Sequence, residues 1–297
     1  MAHKPQSTPD VAAQALAALL RDILASGRKP LDQPDISHEV AVHDLRKTFK
    51  RWRAILRMIA PVIGHEAELL RIEARDLAHA IATARDGRAA IEALADLGDD
   101  TPTLSARSRA TITARLAELG VKAEAQSLTP ALKTRIADVL ARAANAVERW
   151  PTERFDSAEA TRQLGVTYRR ACAAIPTDWA GASAEALHQL RRRVVEHRYQ
   201  MEVVDPAWPR LTRVWVAEAQ RLRDRLGAHQ DLALLQRLTE PHQPLAHWRS
   251  RLTPLIAARQ AEHVAAARRL TGRLFAEKPK QFCRRLASLW KHRVEET

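Results

Sequence analysis

The run His43-Asp44-Leu45-Arg46-Lys47-Thr48-Phe49-Lys50-Arg51-Trp52-Arg53-Ala54-Ile55-Leu56-Arg57-Met58-Ile59 decides the fold class. At about 100° per residue, His43, Arg46, Lys47, Lys50, Arg53 and Arg57 share an arc of roughly 120°. Leu45, Trp52, Ile55, Leu56 and Ile59 take the opposite side. A helix over about residues 37–60 can therefore bury one face in a core and offer the other to an anion. Like charges one turn apart cost about 0.2–0.5 kcal/mol per pair, and the stripe itself contains no acid to relieve them. A face kept only for solubility usually mixes signs.

The pattern returns further along. His43 is followed 43 residues later by Asp86, and His188 by Asp231 at the same interval, an offset of 145 residues between the two copies. In the second copy His188, Arg191, Arg192 and Arg198 repeat the angles of the first stripe, above Leu190, Val194, Met201 and Val204. This reads as an internal duplication.

Working outward, Ala, Leu, Arg, Glu and Gln dominate the chain, and apolar residues recur at intervals of three and four. Both features predict helices and no strand. Prolines at 30, 34, 61, 102, 130, 151, 176, 206, 209, 241 and 244 mark boundaries, and about ten to twelve helices fit between them. The seam between halves is expected at Trp150 to Asp156, around Pro151, with close packing across it. One duplicated domain over 10–293 is expected, with a first repeat at about 10–150, a second at about 156–293 and a flexible 1–9.

Composition limits the partner. Lys and Arg total 48 against 35 Asp and Glu, a formal charge of +13, so a polyanion is favoured over a neutral metabolite. Aromatic residues make up 4% and glycines number 9, which leaves few rings for stacking single-stranded bases and no Gly-rich nucleotide loop. Cys172 and Cys283 are too few and too distant for a disulfide framework or thiolate metal site. No stretch reaches the ~18 consecutive apolar residues of a membrane span, and Val11–Leu24, broken by Gln14, Arg21 and Asp22, is an amphipathic helix rather than a signal peptide. A soluble, cytoplasmic protein with no membrane partner is expected.

His43-x-x-Arg46-Lys47-x-x-Lys50-Arg51-x-Arg53 and His188-x-x-Arg191-Arg192, continuing to Arg198-Tyr199 and Glu202, resemble the CHAD family, the conserved histidine α-helical domain. Tyr168-Arg169-Arg170, Ala84-Arg85-Asp86 and Leu226-Gly227-Ala228-His229-Gln230-Asp231 resemble further segments of that family. The resemblance runs from about residue 10 to 293. It implies an all-α fold of two similar halves of about four to six helices each, related by a pseudo-two-fold around a basic central cleft or pore. It also implies a ligand, inorganic polyphosphate, and association with polyphosphate granules.

Taken together, these readings assign polyphosphate binding to His43, Arg46, Lys47, Lys50, Arg53, Arg57, Arg169, His188, Arg191, Arg192 and Arg198, with Tyr168 beside the cleft. Val195, His197 and Cys172 depart from the family pattern and should weaken the second half. No catalytic residue, metal ligand or cofactor is assigned. For His43 and His188, contact with phosphate and a structural role across the seam both stand. A third reading, an HD-like metal-dependent phosphohydrolase, fails on its ligand set: Asp44 projects about 100° from His43, Gln189 replaces the acid in the second copy, and clustered arginines repel a divalent ion. Asp86 and Asp231 read as structural ion pairs or caps. Nucleic acid is the alternative polyanion, but with no recognisable base-reading motif its binding would be weak and sequence-blind.

Overall fold

The computed structural model describes residues 10–33, 35–81, 85–98, 104–124 and 128–293, excepting the side chains of 85, 86 and 120–124. The described residues form eleven α-helices and no strand, so the fold is all-α as expected. The helices are α1 (Val11–Asp32), α2 (His38–Ile63), α3 (His65–Ala80), α4 (Arg85–Asp96), α5 (Ala106–Glu124), α6 (Pro130–Val147), α7 (Ser157–Ala173), α8 (Ala184–Gln200), α9 (Pro209–Leu238), α10 (Arg249–Leu274) and α11 (Pro279–Lys291). The termini follow local chemistry. Ser37, Thr129, Asp156 and Ser183 each accept a backbone N–H of the first turn of the helix that follows, satisfying donors a helix start leaves open. Gly64, at φ 84°, lets α2 turn directly into α3, a left-handed conformation that costs other residues more.

At Trp150–Asp156, where the seam is expected, α6 has ended at Val147, a 3-10 turn covers Thr152–Arg154, and α7 begins at Ser157. Pro130 and Pro209 occupy first helical positions, where their missing N–H costs nothing. Pro30 and Pro61 differ from the expectation. They lie inside the last turns of α1 and α2, and each helix runs two residues past them. Pro34 and Pro102, and the N-terminal residues 1–9, lie outside the described residues.

Two hydrophobic clusters hold the chain together. The larger unites α1, α2, α3, α6, α7, α8 and α11 with Ala219, Leu222 and Leu226 of α9 and Ala267, Leu270 and Leu274 of α10. The smaller lies under α4 and α5 and takes Leu232 and Leu235 of α9 and Leu252 and Ile256 of α10. Helices α9 and α10 thus bridge both clusters. The apolar side predicted for α2 is fully used: Leu45, Trp52, Ile55, Leu56 and Ile59 are all at most 2% exposed. Trp52 also stacks on Trp150, at the seam, with ring centroids 6.3 Å apart.

Shifted by 145 residues, α7 falls on α1, α8 on α2, α9 on α3 and α4 together, α10 on α5 and α11 on α6. The packing follows the same shift. Helix α1 packs on α2 and α6 as α7 does on α8 and α11, and α2 packs on α3 as α8 does on α9. Between the halves α2 and α8 run antiparallel; Arg57 pairs with Glu196 of α8, and Arg51 with Glu202 of the 3-10 turn (Met201–Val204) that follows it, each at 2.7 Å. Deeper in the same contact, Gln200 Nε2 donates to the Ala54 carbonyl at 2.7 Å. Arg51 precedes Glu196 by 145 residues, and Arg57 precedes Glu202 by the same number. The two ion pairs therefore exchange places under the offset, as contacts across a two-fold axis do.

Candidate functional site

A cleft of about 1270 Å³ opens where the N-terminal half of α2, which packs on the larger cluster, faces α4, which packs on the smaller. His43, Arg46, Lys47 and Lys50 of α2 line one wall, and Arg191, Val195 and Arg198 of α8 continue it. Helix α4 contributes Arg88 and Glu92, and α9 supplies Arg223, Gly227 and Asp231. Six of the eleven residues assigned from sequence thus meet in one place, although they come from two helices more than a hundred residues apart.

The α2 wall is fixed by packing rather than by the charges it carries. Buried Leu45 and Phe49 anchor the α2 face, which leaves His43 and Lys47 exposed and Arg46 and Lys50 half-buried. Arg191 is held more tightly. It lies against Gly227, where a Cβ would come 3.1 Å from its Nη2, and its Nη1 donates to Gln230 Oε1. Gln230 Nε2 in turn meets His188 Nδ1. Arg198 lies over the Tyr199 ring at 4.7 Å, and its Nε is buried with no hydrogen-bond partner.

The cleft also contains acids: Glu39 continues the α2 stripe one turn before His43, and Glu92 and Asp224 come from α4 and α9. Arg88 pairs with Glu39 and Glu92, and Arg223 with Asp224. Asp96, at the end of α4, also lines the cleft and is held in a clamp with α10, taking Arg259 Nη2 at 2.8 Å and His263 Nε2 at 2.6 Å. Burial pushes the Asp96 carboxyl up, but hydrogen bonds from Arg259 and His263 outweigh it and hold the group below its ordinary value. That clamp ties the α4 wall to the second half of the chain. Arg88 and Arg223 are not among the residues that the sequence assigns; Arg88 stands two residues past Asp86, so the Arg-Asp segment is the available signal.

Five assigned residues are not on the cleft wall. Arg57 is drawn to Glu196 at 2.7 Å. Arg53 lies within Coulombic range of both Arg57 and Arg192, in a separate basic group. His188 acts one step removed, through Gln230 and Arg191. Arg169 is exposed on α7 beside Cys283 of α11. Tyr168 is fully buried, stacks on Phe282 at 4.1 Å and donates its hydroxyl to the Glu277 carbonyl. The expectation that Tyr168 and Arg169 border the cleft is thus corrected: neither lines it, and Tyr168 is buried in the packing of α7 on α11. His197, noted as a departure from the family pattern, is also fully buried among these rings, and burial alone pushes its pKa down to about 3.

Asp231 lines the cleft, while the side chains of Arg85 and Asp86 lie outside those described. Among the described residues no group of three or more His, Cys, Asp or Glu is placed to hold a metal ion, and no helix is long and apolar enough to cross a membrane.

The model of the CHAD domain family matches residues 14–240. The chain belongs to the CHAD family. Among solved structures it is similar to the CHAD domain from the plant Ricinus communis, at 18% identity and a TM-score of 0.58 over 97% of both chains. It is also similar to PptA from Streptomyces chartreusis, at 21% identity and a TM-score of 0.64, covering 91% of this chain and 100% of that one. At such identities the likeness speaks to the fold. No curated protein matches the chain.

Proposed function

We propose that this CHAD protein binds inorganic polyphosphate without catalysing its turnover, and through it associates with polyphosphate granules in the cytoplasm. The observation that carries the reading is the gathering of His43, Arg46, Lys47, Lys50, Arg191 and Arg198 from both halves on one cleft of about 1270 Å³. Polyphosphate carries about one charge per internal phosphate, so a row of cations on rigid helices gains mainly by releasing condensed counterions, by analogy with nucleic acids. Arginine forks can donate paired hydrogen bonds to phosphate oxygens, and lysines act as compact point charges. Among the described residues Tyr199 is the one Phe, Tyr or Trp that lines the cleft, and at 6% exposed it offers little face for base stacking. Nucleic acid would meet only the charge, so its binding is weak and nonspecific.

The pair Arg46→Glu with Lys50→Glu tests the site. Both side chains are half-buried on the cleft side of α2 rather than in its core, so helical circular dichroism should match the wild type. Binding of long-chain polyphosphate should fall by at least a hundredfold at physiological salt. Unchanged affinity in a folded double variant would remove the cleft from the account.

A further inference from the structure

The α2 stripe does not end at the cleft. Arg53 and Arg57 continue it toward the turn at Gly64, and the chain then doubles back as α3. Arg57 and Arg71 each stand seven residues from Gly64, and Arg53 and Arg75 each stand eleven. Because α2 and α3 pack against each other as a helical hairpin, these four arginines form two rungs at matching heights. The seam adds a third element, since Glu196 of α8 receives Arg57 at 2.7 Å and Arg193 at 3.2 Å. That contact brings Arg192 beside the ladder.

Three acids answer some of this charge. Glu68 takes Arg71, Glu196 takes Arg57 and Arg193, and Asp76 takes Arg75 from the adjacent position. Arg53 has a different environment. Its Nε is buried with no hydrogen-bond partner, and after burial itself the groups that depress its pKa are all arginines: Arg57, Arg71, Arg192 and Arg75. A half-buried guanidinium held among like charges is a cost to the folded chain, and such costs persist where function needs them.

The 145-residue offset supplies an independent argument. Arg53 corresponds to Arg198, Arg192 to Lys47 and Arg75 to Gln220, and all three of those counterparts line the cleft. The Nε of Arg198 is likewise buried without a partner. The arginine ladder therefore occupies, in the first half, the place that corresponds to part of the cleft.

We propose that Arg53, Arg75 and Arg192, backed by Arg57 and Arg71, form a second phosphate site, separate from the cleft, that takes consecutive phosphates of a short oligophosphate or of the long polymer. It rests on the polyphosphate reading and extends it: a long chain engages both sites, and a short one engages either. Linking two such contacts raises apparent affinity without any new interaction.

Calorimetric titration with inorganic tripolyphosphate at low salt distinguishes the two sites. The wild type should bind two equivalents. Arg53→Gln with Arg75→Gln should leave one, and Lys47→Gln with Lys50→Gln should leave the other. Arg53→Gln alone should also raise the melting temperature without ligand, since it removes a repelled cation, and Arg75→Gln, being exposed, provides a variant whose folding is not at risk. One equivalent in the wild type, lost only with the cleft lysines, would overturn the second site and leave the cleft standing. One equivalent lost only with Arg53 and Arg75 would uphold the ladder and remove the cleft. No binding at all would overturn both.

Discussion

Arg191 reaches its place because residue 227 has no side chain. Gly227→Ala would set a Cβ 3.1 Å from Nη2 and push the guanidinium off its seat and away from Gln230. Elsewhere in a helix the same change favours folding by up to about 1 kcal/mol. We therefore expect Gly227→Ala to keep or raise the melting temperature while weakening polyphosphate binding several-fold, to be read by thermal denaturation beside a binding titration. Equal losses of stability and affinity would show that Gly227 serves the fold instead. His188 belongs to the same argument. Sequence alone is compatible with ligand contact and with support, and the structure places His188 behind Gln230, a relation that depends on α9 folding back over α8 and has no trace in local spacing.

At the scale of elements, α2 was almost fully legible. Its apolar residues are buried and its cations face outward, because a 3.6-residue period sorts the two sides before any partner helix arrives. The site it forms was only partly legible. Arg46, Lys47 and Lys50 face α4, whereas Arg53 and Arg57 face α3 and α8; one stripe is divided by its neighbours. Arg57 found an acid, Glu196, that no inspection of α2 could supply. The α2–α8 contact has its own chemistry. Burial pushes the Glu202 carboxyl up while Arg51 pulls it the other way, and Arg51 also reaches Asp22. Arg51→Glu should destabilise the chain, and Arg51→Glu with Glu202→Arg should recover part of the loss. Chemical denaturation of the four-member cycle should give a coupling of about 0.5–3 kcal/mol, the range for residues in direct contact. Zero coupling would mean that packing alone, not this ion pair, aligns the halves.

Across the whole molecule, the cleft exists because two hydrophobic clusters are bridged by α9 and α10 and not merged. Helix α4 belongs to the smaller cluster, α2 to the larger, and the Asp96–Arg259–His263 clamp holds α4 at the mouth. The chain's charge of +13 pointed to a polyanion, but it could not say that acids such as Glu39, Glu92 and Asp224 would share the cleft, since those side chains are scattered over three helices. We propose that this mixed but predominantly cationic cleft selects a flexible phosphate polymer. Fluorescence anisotropy of labelled long-chain polyphosphate, titrated with the protein at physiological salt against matched duplex DNA as competitor, tests it most directly. Tight binding is expected that weakens steeply as salt is raised and that DNA at equal phosphate concentration does not displace; absence of binding, or displacement by DNA, would contradict a polyphosphate-selective cleft.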